Sequence, residues 1–401
     1  MEYAKKNFIK YCIQTVAYTV TVMFLNGAII QSFLLYVGLD AGQVYTYASL
    51  TQVAQLAVMG LMIFISGGIK RGRQFSAFAN LLMLLPLGLL IFGAIDPSIF
   101  NQTYVLILFI FSFVAFGGIG LYAVLSYCLP YTLINIADYG KFTGIAGAAA
   151  GIATFVVSSL HTLLISLFDY LTVMVWFFVL AASVAILSAV MFFFMNDLKK
   201  EEKNEVTLSE LLAVFKNRDT YTLLFPNLAR GMALGVFNVI AVMAVSEGVV
   251  GIEGSSVINI ILQASSFAAS LVFTFFYKRL GVDKLLILAT LGVVITLPLV
   301  LSFGYVAFLI ILLVSLFFRF IIDSAIPTAL VLIIPENQMG AYSSIRMLVF
   351  TLGQAISSAL VLPLSSAVGY KGVLIIAAVM QLVCGAGHYM VMASHKKRRN
   401  I

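Results

Sequence analysis

Long apolar runs dominate the chain and are separated by short polar breaks. A bilayer core about 30 Å thick needs roughly 20 apolar residues per α-helix, so runs of this length predict membrane-spanning helices. The runs are continuous and do not alternate at every second residue, which excludes an outer-membrane β-barrel. Divided at that length, the chain contains twelve segments, numbered 1 to 12: residues 11–37, 43–66, 75–95, 103–129, 142–168, 171–195, 221–246, 255–277, 284–303, 305–334, 341–368 and 372–392.

The composition supports a lipid environment. Of the 401 residues, 62% are hydrophobic and 10% are charged, whereas a soluble domain has about 25% charged residues. A soluble fold of this length could not bury the excess apolar surface. We therefore expect an all-α membrane protein, with segment 1 kept as a span because it is too long for a cleavable signal peptide. The three cysteines lie in apolar segments and are expected to be packing residues, not disulfides or metal ligands.

Basic residues lie almost entirely on one side of the predicted membrane. Twenty of the 23 lysines and arginines fall at the chain ends, in the connections of one side or next to them. Lys371 alone falls on the other side, and Arg230 and Arg319 lie within segments. Because basic residues favour the cytoplasmic side, we expect both termini in the cytoplasm and the protein in the inner or plasma membrane.

The two halves of the chain resemble each other. Asn26 in segment 1 corresponds to Asn238 in segment 7. Segment 4 has the pattern Tyr-x3-Ser-x3-Pro over residues 122–130, and segment 10 has Arg-x3-Asp-x3-Pro over residues 319–327. Repeats of six spans are related by an axis along the membrane normal, which is a transporter architecture.

A polar stretch separates these halves. We expect a six-helix bundle over residues 1–195, a cytoplasmic linker over 196–220 and a second six-helix bundle over 221–401. Within the linker, the capping-box pattern Thr-x-x-Glu over residues 207–210 predicts a short amphipathic helix on the membrane surface. A disordered charged linker is the alternative.

Basic turns containing glycine follow segments 2 and 8. Together with twelve spans and a central charged loop, they make the chain resemble the major facilitator superfamily. The family's usual motif Gly-x-x-x-Asp-Arg-x-Gly-Arg is altered here, because Ile65 and Ile69 replace its Gly and Asp. The resemblance implies alternating access around a cavity lined by segments 1, 4, 7 and 10, and a gating role for the turn residues Lys70, Arg71, Gly72, Arg73, Lys278, Arg279 and Gly281.

Only three charged residues lie deep within the predicted spans: Arg230, Arg319 and Asp323. A charge at mid-membrane is costly, about 2.5–3.5 kcal/mol on insertion scales, so such residues mark candidate sites. Arg319 and Asp323 are four residues apart and can pair on one helix face. The three groups sum to one positive charge, which favours a ligand carrying a carboxylate or phosphate. A pair that merely tethers helices is the alternative.

Further polar residues are candidates for the same cavity. Asp323 is the obvious proton carrier and His161 the second, although a lone histidine in a span is more often a packing residue. The uncharged candidates for solute binding are Tyr122, Asn26, Asn238, Gln52 and Gln55. Small residues between Gly140 and Gly151 predict close packing of segment 5 against a neighbour.

These features predict a secondary-active or facilitative transporter of a small polar organic solute, anionic or zwitterionic, with or without a coupled proton. We expect a monomer in the bilayer with no enzymatic activity, cofactor, metal or nucleic-acid partner. The alternatives are a proton-coupled exporter of amphipathic compounds, a sugar importer and a lipid flippase on the same fold.

The topology can be tested by cysteine labelling. A membrane-impermeant reagent added to sealed cells should modify Asp40→Cys or Pro97→Cys and should miss Lys203→Cys, because the basic asymmetry places Lys203 inside. Labelling at position 203 would overturn the topology.

Overall fold

The computed structural model describes residues 2–65, 72–126, 129, 133, 139–196, 214–252, 256–334 and 336–399. In these ranges the regular structure is helical. Short 3-10 turns cover Pro97–Ile99 and Leu297–Leu299. The α-helices are α1 Glu2–Leu25, α2 Ala28–Tyr36, α3 Ala41–Ile65, α4 Gly72–Leu82, α5 Leu84–Ile95, α6 Gln102–Leu125, α7 Tyr139–Ile165, α8 Tyr170–Phe193, α9 Arg218–Tyr221, α10 Leu224–Asn238, α11 Ile240–Ser246, α12 Ser256–Leu280, α13 Val282–Thr296, α14 Tyr305–Ile333 and α15 Glu336–Arg399.

Each of the twelve predicted segments falls on one helix or on two or more consecutive helices, and the all-α prediction is confirmed. Among the described residues, nine helices are long and apolar enough to cross a membrane, or ten if the bent pair α10 and α11 forms one span. The longest, α15, contains two predicted segments and breaks at Gly369, whose φ of 71° favours glycine. If α15 counts as two spans and the 25-residue α3 is added to the ten, the described helices are consistent with twelve spans.

The first span of each predicted half is broken at an asparagine. Asn26 and Gly27 separate α1 from α2, and Gly27 has a φ of 103°. Asn238 ends α10, and α11 continues at an angle of 45°. The two asparagines matched in the sequence therefore occupy the same kind of position, a break in the helix, where backbone groups are released from the helical hydrogen-bond pattern.

Side-chain caps begin several helices at the predicted breaks. The backbone N–H of Gln43 donates to Asp40 Oδ1 over 2.8 Å, and Asp40 N–H donates to Gln43 Oε1 over 3.0 Å. The N–H of Thr172 donates in the same way to Asp169 Oδ2 over 3.1 Å. These acceptors satisfy N–H groups that lack a partner in the first helical turn.

The chain divides into two compact units. Unit 1 comprises Met1–Glu205 and Ile252–Asn259, and unit 2 comprises Val206–Gly251 and Ile260–Ile401. The capping box at residues 207–210, where the predicted amphipathic helix begins, lies outside the described residues, and residues 214–216 are helical. The predicted domain boundaries remain a prediction.

Unit 2 is built on a very close crossing of α10 and α15. A Cβ atom on Gly231 would lie 2.0 Å from the carbonyl oxygen of Phe350, and one on Gly353 would lie 2.4 Å from that of Leu228. A Cβ atom on Gly235 would lie 2.0 Å from Ser357 Oγ. The three glycines let the helix backbones touch, as small residues do in membrane helix pairs.

Unit 1 has a similar contact between α6 and its neighbours. A Cβ on Gly120 would lie 2.7 Å from the carbonyl oxygen of Gln55 on α3, and one on Gly118 would lie 3.0 Å from that of Ala79 on α4. The close packing predicted for segment 5 is wrong at Gly147 and Gly151, where a Cβ would meet no atom within 4 Å among the described residues. Glycine spacing alone does not fix which face of a helix has a neighbour.

The end of α8 is held by side chains from α1 and α4. Asn7 Nδ2 donates to the Asn196 carbonyl over 2.6 Å, and Asn7 Oδ1 accepts from Asn196 N–H over 3.1 Å. Lys10 Nζ donates to the Phe194 carbonyl, and Arg73 Nη1 donates to the Met195 carbonyl. Because the last carbonyls of a helix have no partner within it and carry partial negative charge, two cations are well placed there.

The helix crossing in unit 2 can be tested with alanine substitutions. Gly231→Ala should lower the midpoint of thermal unfolding of the purified protein in detergent, because overpacking at such a contact costs about 1–3 kcal/mol. Gly147→Ala is the matched control: it should leave the midpoint unchanged or raise it, because Ala is the better helix former. Equal midpoints for the two variants would contradict the observed crossing.

Candidate solute-binding site

Arg230, Arg319 and Asp323 come together within unit 2. Arg319 and Asp323 lie one turn apart on α14, and Arg230 reaches them from α10. Arg230 Nη2 and Nε donate to Asp323 Oδ1 over 2.6 Å and 3.1 Å. Arg319 Nη2 lies 3.2 Å from the other oxygen, Oδ2. One carboxylate is therefore shared by two guanidinium groups.

Aromatic rings lie against both arginines. Arg230 Cζ lies 5.0 Å from the ring centroid of Phe350 on α15. Arg319 Cζ lies 4.6 Å from the ring of Phe320 and 5.6 Å from that of Phe237 on α10. Aromatic faces attract cations and help to stabilise them away from water. These rings were not predicted from the sequence, although Phe237 is seven residues, about two turns, after Arg230 and so lies on the same face of α10.

The cluster is only partly buried. The side chains of Arg230 and Arg319 are 12% and 13% exposed, and that of Asp323 is 24% exposed. A group sealed in the protein interior could not exchange partners with a solute, whereas this carboxylate reaches accessible space. With one negative and two positive groups, the cluster carries one positive charge and can accept an anionic group.

Further polar side chains of unit 2 extend this region. Asn227 Nδ2 donates to Tyr342 Oη over 3.1 Å, linking α10 to α15. His388 Nδ1 lies 2.8 Å from the carbonyl oxygen of Cys384 within α15. Arg346, also on α15, interacts electrostatically with Tyr342 and His388. Arg346 lies near the start of predicted segment 11, within the helical stretch Ala341–Lys397.

Tyr122 lies in a hydrogen-bonded cluster of unit 1. Its hydroxyl donates to Gln14 Oε1 over 3.1 Å, and Gln14 Nε2 donates to Ser188 Oγ over 3.1 Å. The rings of Tyr122 and Tyr18 have centroids 4.5 Å apart. These contacts join α1, α6 and α8 and occupy the Tyr122 hydroxyl, so the residue holds helices together in this state.

His161, the second predicted proton carrier, is 1% exposed in unit 1. Its Nε2 lies 3.2 Å from Met174 Sδ, and its ring contacts the rings of Phe177 and Phe24. These neighbours are those of a packing residue.

The other uncharged candidates divide between the two units. Asn26 lies at the α1–α2 break and is half-buried, and so is Asn238 at the end of α10. Gln52 is buried on α3, and Gln55 on the same helix is half-buried. Asn238 belongs to unit 2, as do the three charged residues. The candidates that belong to unit 1 are Asn26, Gln52, Gln55, Tyr122 and His161.

The predicted gating turn of unit 1 is described in part. Lys70 and Arg71 lie outside the described residues. Gly72 begins α4, and Arg73 binds the end of α8 through the Met195 carbonyl. Arg73 is thereby committed to a backbone group of its own unit.

The corresponding turn of unit 2 is a tight one. Lys278 and Arg279 end α12, and Gly281, with a φ of 84°, connects it to α13. Asp283 then forms an ion pair of 2.8 Å with Lys396 near the end of α15.

The shared carboxylate should be essential for the stability of unit 2. Asp323→Asn leaves two guanidinium groups without a counter-charge and should lower stability by about 2–3 kcal/mol, somewhat less than for a fully buried pair. Asp283→Asn, the matched control, removes an exposed pair and should cost less than about 1 kcal/mol. Fluorescence-detected size exclusion after a heating series would rank the two, and an unchanged Asp323→Asn profile would argue against the shared pair.

Comparison with known proteins agrees with this architecture. The sequence matches the Major Facilitator Superfamily over residues 12–358. No curated protein sequence matches the chain. Among solved structures, a D-xylose-proton symporter is 14% identical with a TM-score of 0.70, over 94% of this chain and 97% of that one. The nucleoside transporter NupG is 14% identical with a TM-score of 0.64, over 98% and 99%.

A third solved structure, the E. coli fucose:proton symporter FucP, is 15% identical with a TM-score of 0.65 over 97% of this chain and 98% of that one. At such identities these structures show the fold alone. The family match covers more than four fifths of the chain, from the first span into segment 11. The chain therefore belongs to the Major Facilitator Superfamily and is a membrane transporter, not an enzyme.

Proposed function

We propose that the protein moves a small polar organic solute with a negatively charged group, anionic or zwitterionic, by alternating access. The observation that carries this proposal is the sharing of Asp323 between Arg230 and Arg319, which leaves one positive charge in an apolar helical unit. An acidic group on the solute would complete the compensation, and the attraction is strengthened because the side chains of both arginines are mostly buried.

Solute binding acts on this cluster by exchange of partners. The acidic group of the solute takes one guanidinium group from Asp323, while the other keeps the carboxylate. A ligand shifts a conformational equilibrium only by its difference in affinity for the two states. Exchange of partners among the three charged groups gives such a difference in affinity, because their charges are paired in one way without the solute and in another way with it.

Asp323 also supports proton coupling. Protonation removes the negative charge that both arginines contact, and the freed guanidinium groups then bind an anion more strongly. Uptake of a proton and of an anion would then favour each other, which is symport. The carboxylate is the one acidic group in the cluster, and its partial exposure allows a proton to reach it.

The same proposal places the protein in the inner or plasma membrane with both termini in the cytoplasm. The basis is the distribution of lysine and arginine, since positive residues near the ends of spans favour the cytoplasmic side.

The alternatives predict different ligands. A sugar importer would bind neutral polyols, an exporter would bind amphipathic compounds, and a flippase would bind lipids. A thermal-shift panel on the purified protein separates them, because a ligand that binds only the folded state raises the unfolding midpoint. The panel contains carboxylates, amino acids, organic phosphates, sugars, nucleosides, amphipathic cations and phospholipid analogues. We expect the largest shift from a compound with an acidic group.

The panel compound with the largest shift is then tested for uptake into proteoliposomes. With a proton gradient directed inward, the wild type should accumulate the compound, and Asp323→Asn should lose accumulation driven by the gradient. Asp283→Asn, which removes a carboxylate outside the cluster, should accumulate it normally. Full gradient-driven accumulation by Asp323→Asn would refute the proton role, and a neutral compound as the best ligand would refute the anionic solute.

A further inference from the structure

The two arginines that share Asp323 are held in different ways. Arg230 donates two hydrogen bonds to Oδ1, from Nη2 over 2.6 Å and from Nε over 3.1 Å. Arg319 makes a single, longer contact of 3.2 Å, from Nη2 to Oδ2. Hydrogen bonds between charged groups are strongest when they are short and aligned. Asp323 is therefore bound mainly by Arg230.

The side chain of Arg230 is held in place by groups on two neighbouring helices. Its neighbour Gly231 lets the backbone of α15 approach, and this brings the ring of Phe350 to 5.0 Å from the Arg230 guanidinium carbon. The side chain is thus held by the ring and by the carboxylate together. Releasing it to a solute would break two hydrogen bonds.

Arg319 has free donors. Its guanidinium group faces the rings of Phe320 and Phe237, and stacking uses the faces of the group while leaving the N–H groups in its plane available. None of its nitrogens is among the fully buried polar atoms of the described residues that lack a partner. Its unbonded N–H groups therefore reach accessible space, where a solute can meet them.

We infer that Arg319 is the residue that receives the solute, that the solute is a monocarboxylate, and that Arg230 is a positioning residue that retains Asp323. This inference rests on the proposed function and refines it. The two oxygens of a carboxylate can accept two parallel hydrogen bonds from the in-plane N–H groups of a guanidinium. A single-atom anion could not accept both in this geometry. The rings of Phe320 and Phe237 offer apolar surface to the organic part of the solute.

Charge compensation favours a monoanion over a dianion. With Asp323 ionised, the cluster carries one positive charge, so a monocarboxylate makes it neutral, whereas a doubly charged phosphate would leave an excess negative charge among apolar helices. Such an excess is expensive at low dielectric constant. A monocarboxylate with a flat ring should be bound more strongly than acetate, because it also covers the two phenylalanine rings.

The experiment measures binding of four probes to the full-length protein in nanodiscs: benzoate, acetate, benzamide as the neutral isostere of benzoate, and inorganic phosphate. The wild type should bind benzoate more tightly than acetate and should not bind benzamide or phosphate. Arg319→Gln should weaken benzoate binding at least about 30-fold. Arg319→Lys, which keeps the charge and loses the fork, should be intermediate.

The controls separate binding from stability. Lys396→Gln removes a paired cation elsewhere in unit 2 and should bind benzoate like the wild type. Arg230→Gln should lower the unfolding midpoint of the ligand-free protein more than Arg319→Gln does, since it removes both hydrogen bonds to Asp323. Its folded fraction should lose less benzoate affinity than Arg319→Gln and should show a changed pH profile of binding.

The outcomes also distinguish the two proposals. If benzoate binds and Arg230→Gln abolishes binding while Arg319→Gln does not, the assignment of roles is wrong and the anionic solute stands. If no carboxylate binds but an organic phosphate from the earlier panel does, the monocarboxylate is wrong and the anionic solute again stands. If only neutral compounds bind, both proposals are wrong.

Discussion

A single carboxylate, that of Asp323, contacts two guanidinium groups among the apolar helices of unit 2 and is the counter-charge that they share. Each isolated charge there would cost several kcal/mol, so Asp323 constrains where α10 and α14 can lie. The other features of the unit serve that arrangement. The glycine crossing brings α15 against α10 and places Phe350 beside Arg230, and Phe237 and Phe320 face Arg319. Removing the carboxylate would leave the same helices carrying two unpaired cations.

The sequence predicted the helices and the three charged residues for a simple physical reason. Apolar runs and the cost of buried charge are local properties of the chain, so they can be read without knowing the fold. The pairing of Arg319 with Asp323 follows from four-residue spacing on one helix. The sharing of Asp323 by both arginines could be proposed from the cost of an unpaired charge. The bonding of Arg230 to Oδ1 depends on the crossing of two distant helices, so the sequence could not give its atoms and distances.

The failed prediction of close packing has the same origin. The glycines of α7 were expected to pack closely, but the close contacts belong to Gly231, Gly353 and Gly120 on other helices. Spacing identifies a smooth helix face, and only the fold determines whether a neighbour covers it. Tyr122 was predicted to bind solute because of its place in the repeat. Its hydroxyl donates to Gln14, and its role in solute binding stays a prediction. The helix break at Asn26 could have been predicted from the glycine that follows it, because glycine readily adopts the positive φ that Gly27 has here.

The contact between Arg73 and the end of α8 has a consequence for acid tolerance. Where the usual family motif has an aspartate, this chain has Ile69, and Arg73 donates a hydrogen bond to the Met195 carbonyl. A guanidinium stays protonated up to about pH 12, and a peptide carbonyl does not titrate at all in water, so this bond contains no group that an acidic medium could neutralise. Lys10 and Asn7 at the same helix end likewise bind backbone groups. These bonds to backbone groups keep their strength when the pH falls, whereas a relay of acids and bases would loosen.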